Sequence, residues 1–258
     1  MKYFLANWKM FPTVDEAEAL LSAVQDGLRE RVQAGGALPR VIVCPPFVSL
    51  APLRALTDRT VVRLGAQDCH WEQQGPYTGE TSARMLCGLV EYVMVGHSER
   101  RAAGETDEQV TGKVAAAVEA GLIPILFVGE DEEGQDAIRE TERRLRQGLS
   151  GIDVGRHEAV LVYEPTWAVG AEQTASPGHV ARAVAHLKQV LAELGAMTPE
   201  VIYGGSVNER NIGDLVDLDV LDGLGATRAS LRSDSCLRMI DRVGARAAVT
   251  PQDSANAP

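Results

Sequence analysis

Short apolar runs alternate with longer amphipathic segments along most of the chain. The runs are almost continuously apolar, which is typical of parallel strands that are covered on both faces. Eight of them are predicted to be strands: Tyr3–Ala6, Val41–Cys44, Val61–Leu64, Tyr92–Val95, Ile123–Val128, Ala159–Tyr163, Val201–Tyr203 and Val220–Leu224.

The segments between these runs carry helical periodicity. Apolar residues recur at three- and four-residue intervals in three of them: Val14–Ala34, Asp107–Ala120 and Pro177–Leu194. Ser176 precedes a proline and is predicted to cap the last of these helices. Thr106 stands three residues before Gln109, which is the spacing of a capping box. Gly121 and Gly195 lie where two of the helices should end.

Strands that alternate with helices, with no linker-like break, predict one α/β domain built as a (β/α)8 barrel over residues 1–246. An open, doubly wound parallel sheet is the alternative. It is disfavoured because no Gly-x-Gly-x-x-Gly turn follows the first strand. Residues 247–258 are polar and turn-rich, and we expect this tail to be disordered.

Composition restricts the classes of function. The 258 residues are 45% hydrophobic, which is ample for one large core. The net charge of −11 argues against nucleic acid or a membrane surface as a partner. No segment approaches the ~20 apolar residues that span a bilayer, and the N-terminus lacks a secretory signal pattern. We therefore expect a cytoplasmic protein.

The cysteines give no sign of a metal or dithiol site. The four of them are widely spaced and form no Cys-x-x-Cys pair: Cys44, Cys69, Cys87 and Cys236. We expect buried small residues or free thiols of a reducing compartment, and no metal ion.

The strongest candidate for chemistry is Glu164. It directly follows the sixth apolar run and precedes a short segment bracketed by Pro165 and Gly170. In a (β/α)8 barrel, functional groups collect where the strands end, so Glu164 is predicted to act there as a general base. Taken by itself, the same carboxylate is equally compatible with a surface loop.

Polar groups also follow strands one and four. Lys9, two residues after Asn7, could neutralise a ligand anion or a developing oxyanion. His97 follows strand four, and a helix beginning near Ser98 favours a neutral imidazole that donates to a carbonyl or enediol oxygen. Glu99 could pair with Lys9 or take part in proton transfer.

Strand seven is followed by Gly204, Gly205 and Ser206, whose backbone N–H groups suit a phosphate. Each of these segments also has an ordinary reading as a turn, a surface lysine or a core histidine. Their joint placement on one predicted rim indicates a catalytic site.

These residues together resemble the triosephosphate isomerase family, from the N-terminus to about Arg242. The matching segments are Asn7-Trp8-Lys9-Met10, Ala66-Gln67-Asp68, Tyr77-Thr78-Gly79-Glu80, Val95-Gly96-His97-Ser98-Glu99-Arg100-Arg101, Tyr163-Glu164-Pro165, Trp167-Ala168-Val169-Gly170 and Tyr203-Gly204-Gly205-Ser206-Val207. The resemblance implies a TIM barrel that interconverts glyceraldehyde 3-phosphate and dihydroxyacetone phosphate through an enediol(ate).

The resemblance also implies roles for individual residues. Glu164 would be the base that moves a proton between adjacent carbons, and His97 would shuttle protons between the enediol oxygens. Substrate and phosphate contacts would come from Asn7, Lys9, Gly170, Gly205 and Ser206. The family needs no metal or organic cofactor and acts on a small phosphorylated sugar. It is usually a homodimer, in which the loop holding Thr78 and Glu80 lies beside the partner's active site.

Three departures from the family pattern bear on the site. Thr227 and Arg228 stand where two phosphate-approaching glycines are expected, and Arg228 could either grip the phosphate or point to solvent. Ala171-Glu172-Gln173-Thr174 replaces a small residue, Gly and Lys in the closing loop. Phe127 replaces a cysteine, and we expect its bulk to change the packing around Glu164.

Two alternative functions stay open at this point. One is an isomerase of four-carbon sugar phosphates, the erythrulose phosphates of erythritol-type catabolism, which would use the same chemistry. The other is a barrel that binds sugar phosphates without turnover. The second is disfavoured because a binding protein has no need of a proton acceptor at Glu164.

Overall fold

The computed structural model describes residues 1–132, 134, 137–170 and 174–247, with the side chains of 137 and 247 excepted. Within this part of the chain, eight parallel strands close into a barrel in sequence order, and the last strand pairs with the first. This confirms the predicted (β/α)8 barrel. The tail that we expected to be disordered lies outside the described residues, apart from the backbone of residue 247.

The strands are β1 (Tyr3–Asn7), β2 (Arg40–Cys44), β3 (Val62–Ala66), β4 (Tyr92–Val95), β5 (Ile123–Val128), β6 (Val160–Tyr163), β7 (Val201–Tyr203) and β8 (Gly223–Ala226). Six agree with the predicted bounds to within one residue. The predictions for β3 and β8 ended two residues too early, before Gly65 and Gly225, and the prediction for β8 also began three residues too early, at Val220. A Cβ on Gly65 would lie 2.6 Å from Cys44 Sγ, and one on Gly223 would lie 2.4 Å from the backbone oxygen of Tyr3. These glycines allow close strand packing and do not end the strands.

The helices are α1 (Val14–Gln33), α2 (Leu50–Leu56), α3 (Ala83–Leu86), α4 (Ser98–Ala102), α5 (Asp107–Glu119), α6 (Ala137–Gly148), α7 (Pro177–Glu193), α8 (Ile212–Val216) and α9 (Ser233–Ala247). The three predicted helices, α1, α5 and α7, are confirmed to within one residue at each end. None of the helices within the described ranges is long and apolar enough to cross a membrane.

Local capping explains where the predicted helices begin and end. Thr106 and Gln109 form the expected capping box at α5, each accepting the other's backbone N–H. The side chain of Ser176 accepts the backbone N–H of the third residue of α7. Gly121 and Gly195 follow α5 and α7 with φ values of 74° and 100°, a region that glycine adopts without strain.

The hydrophobic side chains form two cores. One fills the barrel interior and includes Leu5, Ile42, Phe127 and Ile202, and the other lies between the strands and the surrounding helices. Three of the cysteines are buried, and Cys87 is exposed. At Cys236, burial raises the pKa of the thiol to about 12. A thiol of this kind stays protonated and packs as a small apolar residue.

Candidate active site

A cavity of about 390 Å³ opens at the carboxyl ends of the strands. Most of the candidate residues line it: Lys9, Glu99, Glu164, Gly170, Gly204, Ser206, Thr227 and Arg228. These residues come from segments after β1, β4, β6, β7 and β8. The barrel therefore brings together groups that are far apart in the sequence, as the strand-end argument predicted.

Glu164 and His97 form the buried pair at this cavity. His97 Nε2 lies 3.3 Å from Glu164 Oε1, and the two residues are only 5% and 4% exposed. The other carboxylate oxygen, Oε2, accepts the backbone N–H of Ser98 at 3.0 Å. One oxygen of the candidate base is therefore hydrogen-bonded to the backbone, and the other lies beside the imidazole.

The surroundings of His97 determine which ring nitrogen carries the proton. His97 caps α4, which begins at Ser98 as the sequence predicted, and its Nδ1 accepts the backbone N–H of Glu99 at 3.1 Å. An accepting nitrogen has no proton, so the neutral ring is protonated at Nε2. That nitrogen faces Glu164 Oε1.

Lys9 is held in an unusual backbone conformation beside β1. Its φ of 47° lies in the left-handed region, which is uncommon for a lysine. Asn7 Oδ1 accepts the Lys9 N–H at 3.0 Å, and Gln67 Nε2 donates to the Lys9 carbonyl at 2.9 Å. The Lys9 ammonium lies 2.7 Å from Glu99 Oε1, so the two residues pair as the sequence suggested.

Gly204, Gly205 and Ser206 form a tight turn after β7. A Cβ on Gly204 would lie 2.7 Å from Val162 Cγ1, and one on Gly205 would lie 2.5 Å from the Tyr203 hydroxyl. Only glycine fits either position without rearrangement, so the backbone can lie against the floor of the cavity.

Ser206 connects this turn to the segment after β6. Its hydroxyl accepts the backbone N–H of Gly170 at 2.9 Å and donates to the carbonyl of Ala168 at 2.8 Å. Gly170 has a φ of 76°, so the chain turns sharply as it leaves the cavity wall. The two predicted phosphate contacts are thus already joined to each other.

Thr227 and Arg228 follow β8, and the chain forms a 3-10 turn at Arg228–Leu231. Both residues line the cavity. Arg228 is exposed and has no ion-pair partner within the described part of the chain. Its guanidinium is therefore available to an anionic ligand.

Phe127 lies in the barrel interior, beneath the site. Its ring centroid is 5.0 Å from that of His97, at an interplanar angle of 58°. The substituted side chain thus packs against the imidazole, on the side of the barrel that also carries Glu164. Of the other departure, Ala171-Glu172-Gln173-Thr174, residues 171–173 lie outside the described residues.

Thr78 and Glu80 do not join the cavity. They are exposed on the loop between β3 and α3, where the Glu80 N–H donates to the carbonyl of Tyr77 at 3.0 Å. Their expected role beside a partner subunit is compatible with this exposure.

Sequence reasoning missed one buried group next to the site. Glu130 is completely buried beyond the end of β5 and accepts hydrogen bonds from Tyr163 and Trp167. The signal was present, because a carboxylate two residues after an apolar strand is the same pattern that drew attention to Glu164.

The fold and cavity define a (β/α)8 barrel with a candidate acid–base pair at its carboxyl-terminal rim. The family model described as triosephosphate isomerase matches residues 2–243. The chain belongs to the triosephosphate isomerase family.

Individual relatives agree with this assignment. The chain is 39% identical over 238 residues to a triosephosphate isomerase of Dehalococcoides mccartyi strain BAV1, covering 89% of this chain and 91% of the relative. It is 40% identical to one of Roseiflexus sp. strain RS-1, with 91% and 94% covered. The crystal structure of triosephosphate isomerase from Bartonella henselae superimposes with a TM-score of 0.82 at 28% identity, with 93% of this chain and 98% of that chain covered.

The hydrogen bond from Glu99 N–H predicts the tautomer of His97. Nitrogen NMR on isotope-labelled protein at neutral pH should show a protonated Nε2 and an unprotonated Nδ1 for this residue. The ring-nitrogen signals of His97 are identified as those that are missing from the spectrum of the His97→Gln variant. A proton on Nδ1 would contradict the arrangement described here.

Proposed function

We propose that this protein interconverts D-glyceraldehyde 3-phosphate and dihydroxyacetone phosphate through an enediol(ate). The observation that carries the proposal is the buried contact between His97 Nε2 and Glu164 Oε1 at the cavity. A carboxylate and an imidazole N–H on one site suit a substrate that must lose a proton from carbon while its carbonyl oxygen gains negative charge. The names of the relatives support the same reaction.

The base in this reaction is Glu164. It removes a proton from the carbon beside the carbonyl group and returns it to the neighbouring carbon, so the enzyme ends each turnover unchanged. Its Oε2 accepts the backbone N–H of Ser98, and its Oε1 lies 3.3 Å from His97 Nε2. A substrate must replace at least one of these contacts, which frees the carboxylate for the carbon acid.

His97 acts on the oxygens of the substrate. Its Nε2–H donates to the carbonyl oxygen as the carbon proton leaves, and this stabilises the developing enediolate. A proton then passes by way of the ring from one enediol oxygen to the other. Lys9, held in place by Asn7 and paired with Glu99, adds positive charge beside the same oxygens.

The phosphate of the substrate binds on the opposite side of the cavity. The proposed contacts are the backbone N–H groups of Gly205 and Ser206. Those of Gly170 and Gly204 donate to Ser206 Oγ and to the Tyr163 carbonyl, and the Ser206 hydroxyl donates to Ala168, so these groups must exchange partners to reach the phosphate. Arg228 adds a full positive charge with two parallel N–H donors, where Thr227 and Arg228 replace the smaller glycines of the family.

The two alternatives receive no such support. The relatives quoted above are named triosephosphate isomerase. No specific contact in the described part of the site favours a tetrulose phosphate isomerase, or a barrel that binds sugar phosphates without turnover.

We also infer a cytoplasmic homodimer. Free cysteines suit a reducing compartment. Exposed apolar side chains occur beside the cavity (Met10 and Phe11), on the loop of Thr78 and Glu80 (Tyr77) and on α3 (Met85). Such side chains are typical of a covered surface. Sedimentation velocity should give twice the mass of the chain. A monomer at micromolar concentration would contradict the dimer.

The role of Glu164 is tested by shortening its side chain. In Glu164→Asp the carboxylate is withdrawn by one methylene from the carbon acid, so kcat on glyceraldehyde 3-phosphate should fall by ~100-fold or more. Glu158→Asp is the matched control, because Glu158 pairs with Arg40 away from the cavity. It should retain the activity of the wild type.

The same assays discriminate between the alternatives. A wild-type kcat/KM that is higher for a tetrulose phosphate than for the triose phosphates would overturn the proposed substrate. If neither compound is turned over, the protein is a binding barrel. An unimpaired Glu164→Asp variant would remove this residue from the mechanism.

Removal of the guanidinium at Arg228 tests the proposed phosphate contact. In Arg228→Ala, KM should rise about tenfold, while kcat stays essentially unchanged. A tenfold change corresponds to about 1.4 kcal/mol, as expected for the loss of a charged hydrogen bond at an exposed position. The control Arg232→Ala removes a nearby exposed arginine that pairs with Asp234. If both variants behave as the wild type, Arg228 points to solvent during turnover.

A further inference from the structure

The buried carboxylate of Glu130 gathers four side chains next to the active site. Its Oε1 lies 2.8 Å from the Tyr163 hydroxyl, 3.0 Å from His179 Nε2 and 3.2 Å from Trp167 Nε1. Its Oε2 accepts the hydroxyl of Thr141 at 2.8 Å. Glu130 itself is fully buried, so these groups take the place of water around it.

The contacts keep Glu130 ionised. Burial alone would raise the pKa of this carboxyl, but the hydrogen bonds that it accepts, first of all from Tyr163 and Thr141, more than offset burial. The pKa of Glu130 therefore lies below its ordinary value. A buried carboxylate acts only as an acceptor, and each neighbour must supply a proton.

The hydrogen-bond partners of His179 indicate that its Nε2 is a donor. Nε2 of this ring lies 3.0 Å from Glu130 Oε1 and 2.8 Å from the Tyr163 hydroxyl. The Tyr163 proton is directed to Glu130, so the tyrosine oxygen can accept from the ring. An unprotonated Nε2 would face the carboxylate with its lone pair. The contacts are satisfied when Nε2 carries the proton.

These contacts connect two stretches of chain on either side of Gly170. Before it, Thr166 donates its backbone N–H and its hydroxyl to the carbonyl of Glu130, at 2.9 and 3.1 Å, and Trp167 donates to the carboxylate. After it, His179 lies in the first turn of α7 and reaches the same carboxylate. The imidazole also meets the Trp167 ring edge-on, with centroids 5.6 Å apart.

We propose that His179 is a positioning residue for the active site, acting through Glu130 on the segment from Thr166 to Gly170. This segment carries the Gly170 N–H to the cavity and is continuous with Glu164. The kinetic part of the proposal rests on the proposed isomerase function. The structural part concerns only the contact of Trp167 with Glu130, and it can be tested without turnover.

A simpler role would confine His179 to its own helix. Its backbone N–H donates to the capping hydroxyl of Ser176 at 3.3 Å, and its ring fills space under Trp167. Loss of the ring would then lower stability and leave the cavity unaltered. The two roles differ in whether an N–H donor at this position is needed.

The chain contains a matched control on the same helix. His186 also presents Nε2 to a carboxylate, Glu142 Oε2, at 2.7 Å. It is partly exposed and has no contact with Glu130 or Trp167. The variants His179→Leu and His186→Leu therefore remove the same group from the same helix, and only the first removes it from the Glu130 cluster.

The experiment compares these variants with His179→Gln, whose amide N–H can replace the imidazole donor. The indole N–H resonance of Trp167, identified by its loss in Trp167→Phe, reports the hydrogen bond to Glu130. Inorganic phosphate serves as the ligand, through its inhibition constant or, without turnover, its binding constant. We expect His179→Leu to shift the Trp167 resonance, to weaken phosphate binding about tenfold and to lower kcat/KM by a similar factor.

His179→Gln and His186→Leu should keep the wild-type resonance and phosphate affinity. If His179→Leu does not fold, His179→Asn, which is polar but too short to reach Glu130, takes its place with the same expectation. The proposal is overturned if the leucine or asparagine variant retains the wild-type Trp167 resonance and phosphate affinity, or if His179→Gln loses both. Absence of isomerase activity in the wild type would remove the proposed function and leave the resonance test intact.

Discussion

Closure of the barrel between β8 and β1 is the constraint on which the candidate site depends. The two strands approach so closely that a Cβ at Gly223 would lie 2.4 Å from the backbone oxygen of Tyr3. With the ring of strands closed, the groups that follow β1, β4, β6 and β7 converge on one rim. An open sheet would leave Lys9 and Ser206 at distant edges, and no single cavity would collect them.

Two of the charged groups at the rim, Glu164 and Lys9, have partners within the protein. Glu164 is bound by His97 and Ser98, and Lys9 is paired with Glu99. A buried charge without a partner costs several kcal/mol, so the contacts of Glu164 offset part of the cost of burying its carboxylate. Under the proposed function, substrate binding is then an exchange: a ligand gains only the difference between its own hydrogen bonds and those that it displaces.

Much of the fold and the candidate site could be predicted from local patterns, because apolar strands, caps and strand-end carboxylates leave clear signals. The errors have a common physical cause. Gly65 lies inside β3, where a Cβ would meet Cys44 of the neighbouring strand, and Gly223 begins β8 against the backbone of Tyr3. A single sequence does not show such proximity. The contacts of Glu130 were missed for the same reason. His179 lies 49 residues further along the chain, and its ring reaches the carboxylate because β5 and β6, which precede the two residues, are paired.

The acidic composition does not decide which ligands the site accepts. The net charge of −11 is spread over the whole chain, and charges beyond about 8 Å are largely screened at physiological ionic strength. At the cavity the field is set by nearby groups, of which Lys9 is already paired with a carboxylate and Arg228 is not. A glycine loop would offer a phosphate only neutral N–H donors. An arginine at the same place adds a full charge, and with it a dependence on salt that backbone donors alone would not give.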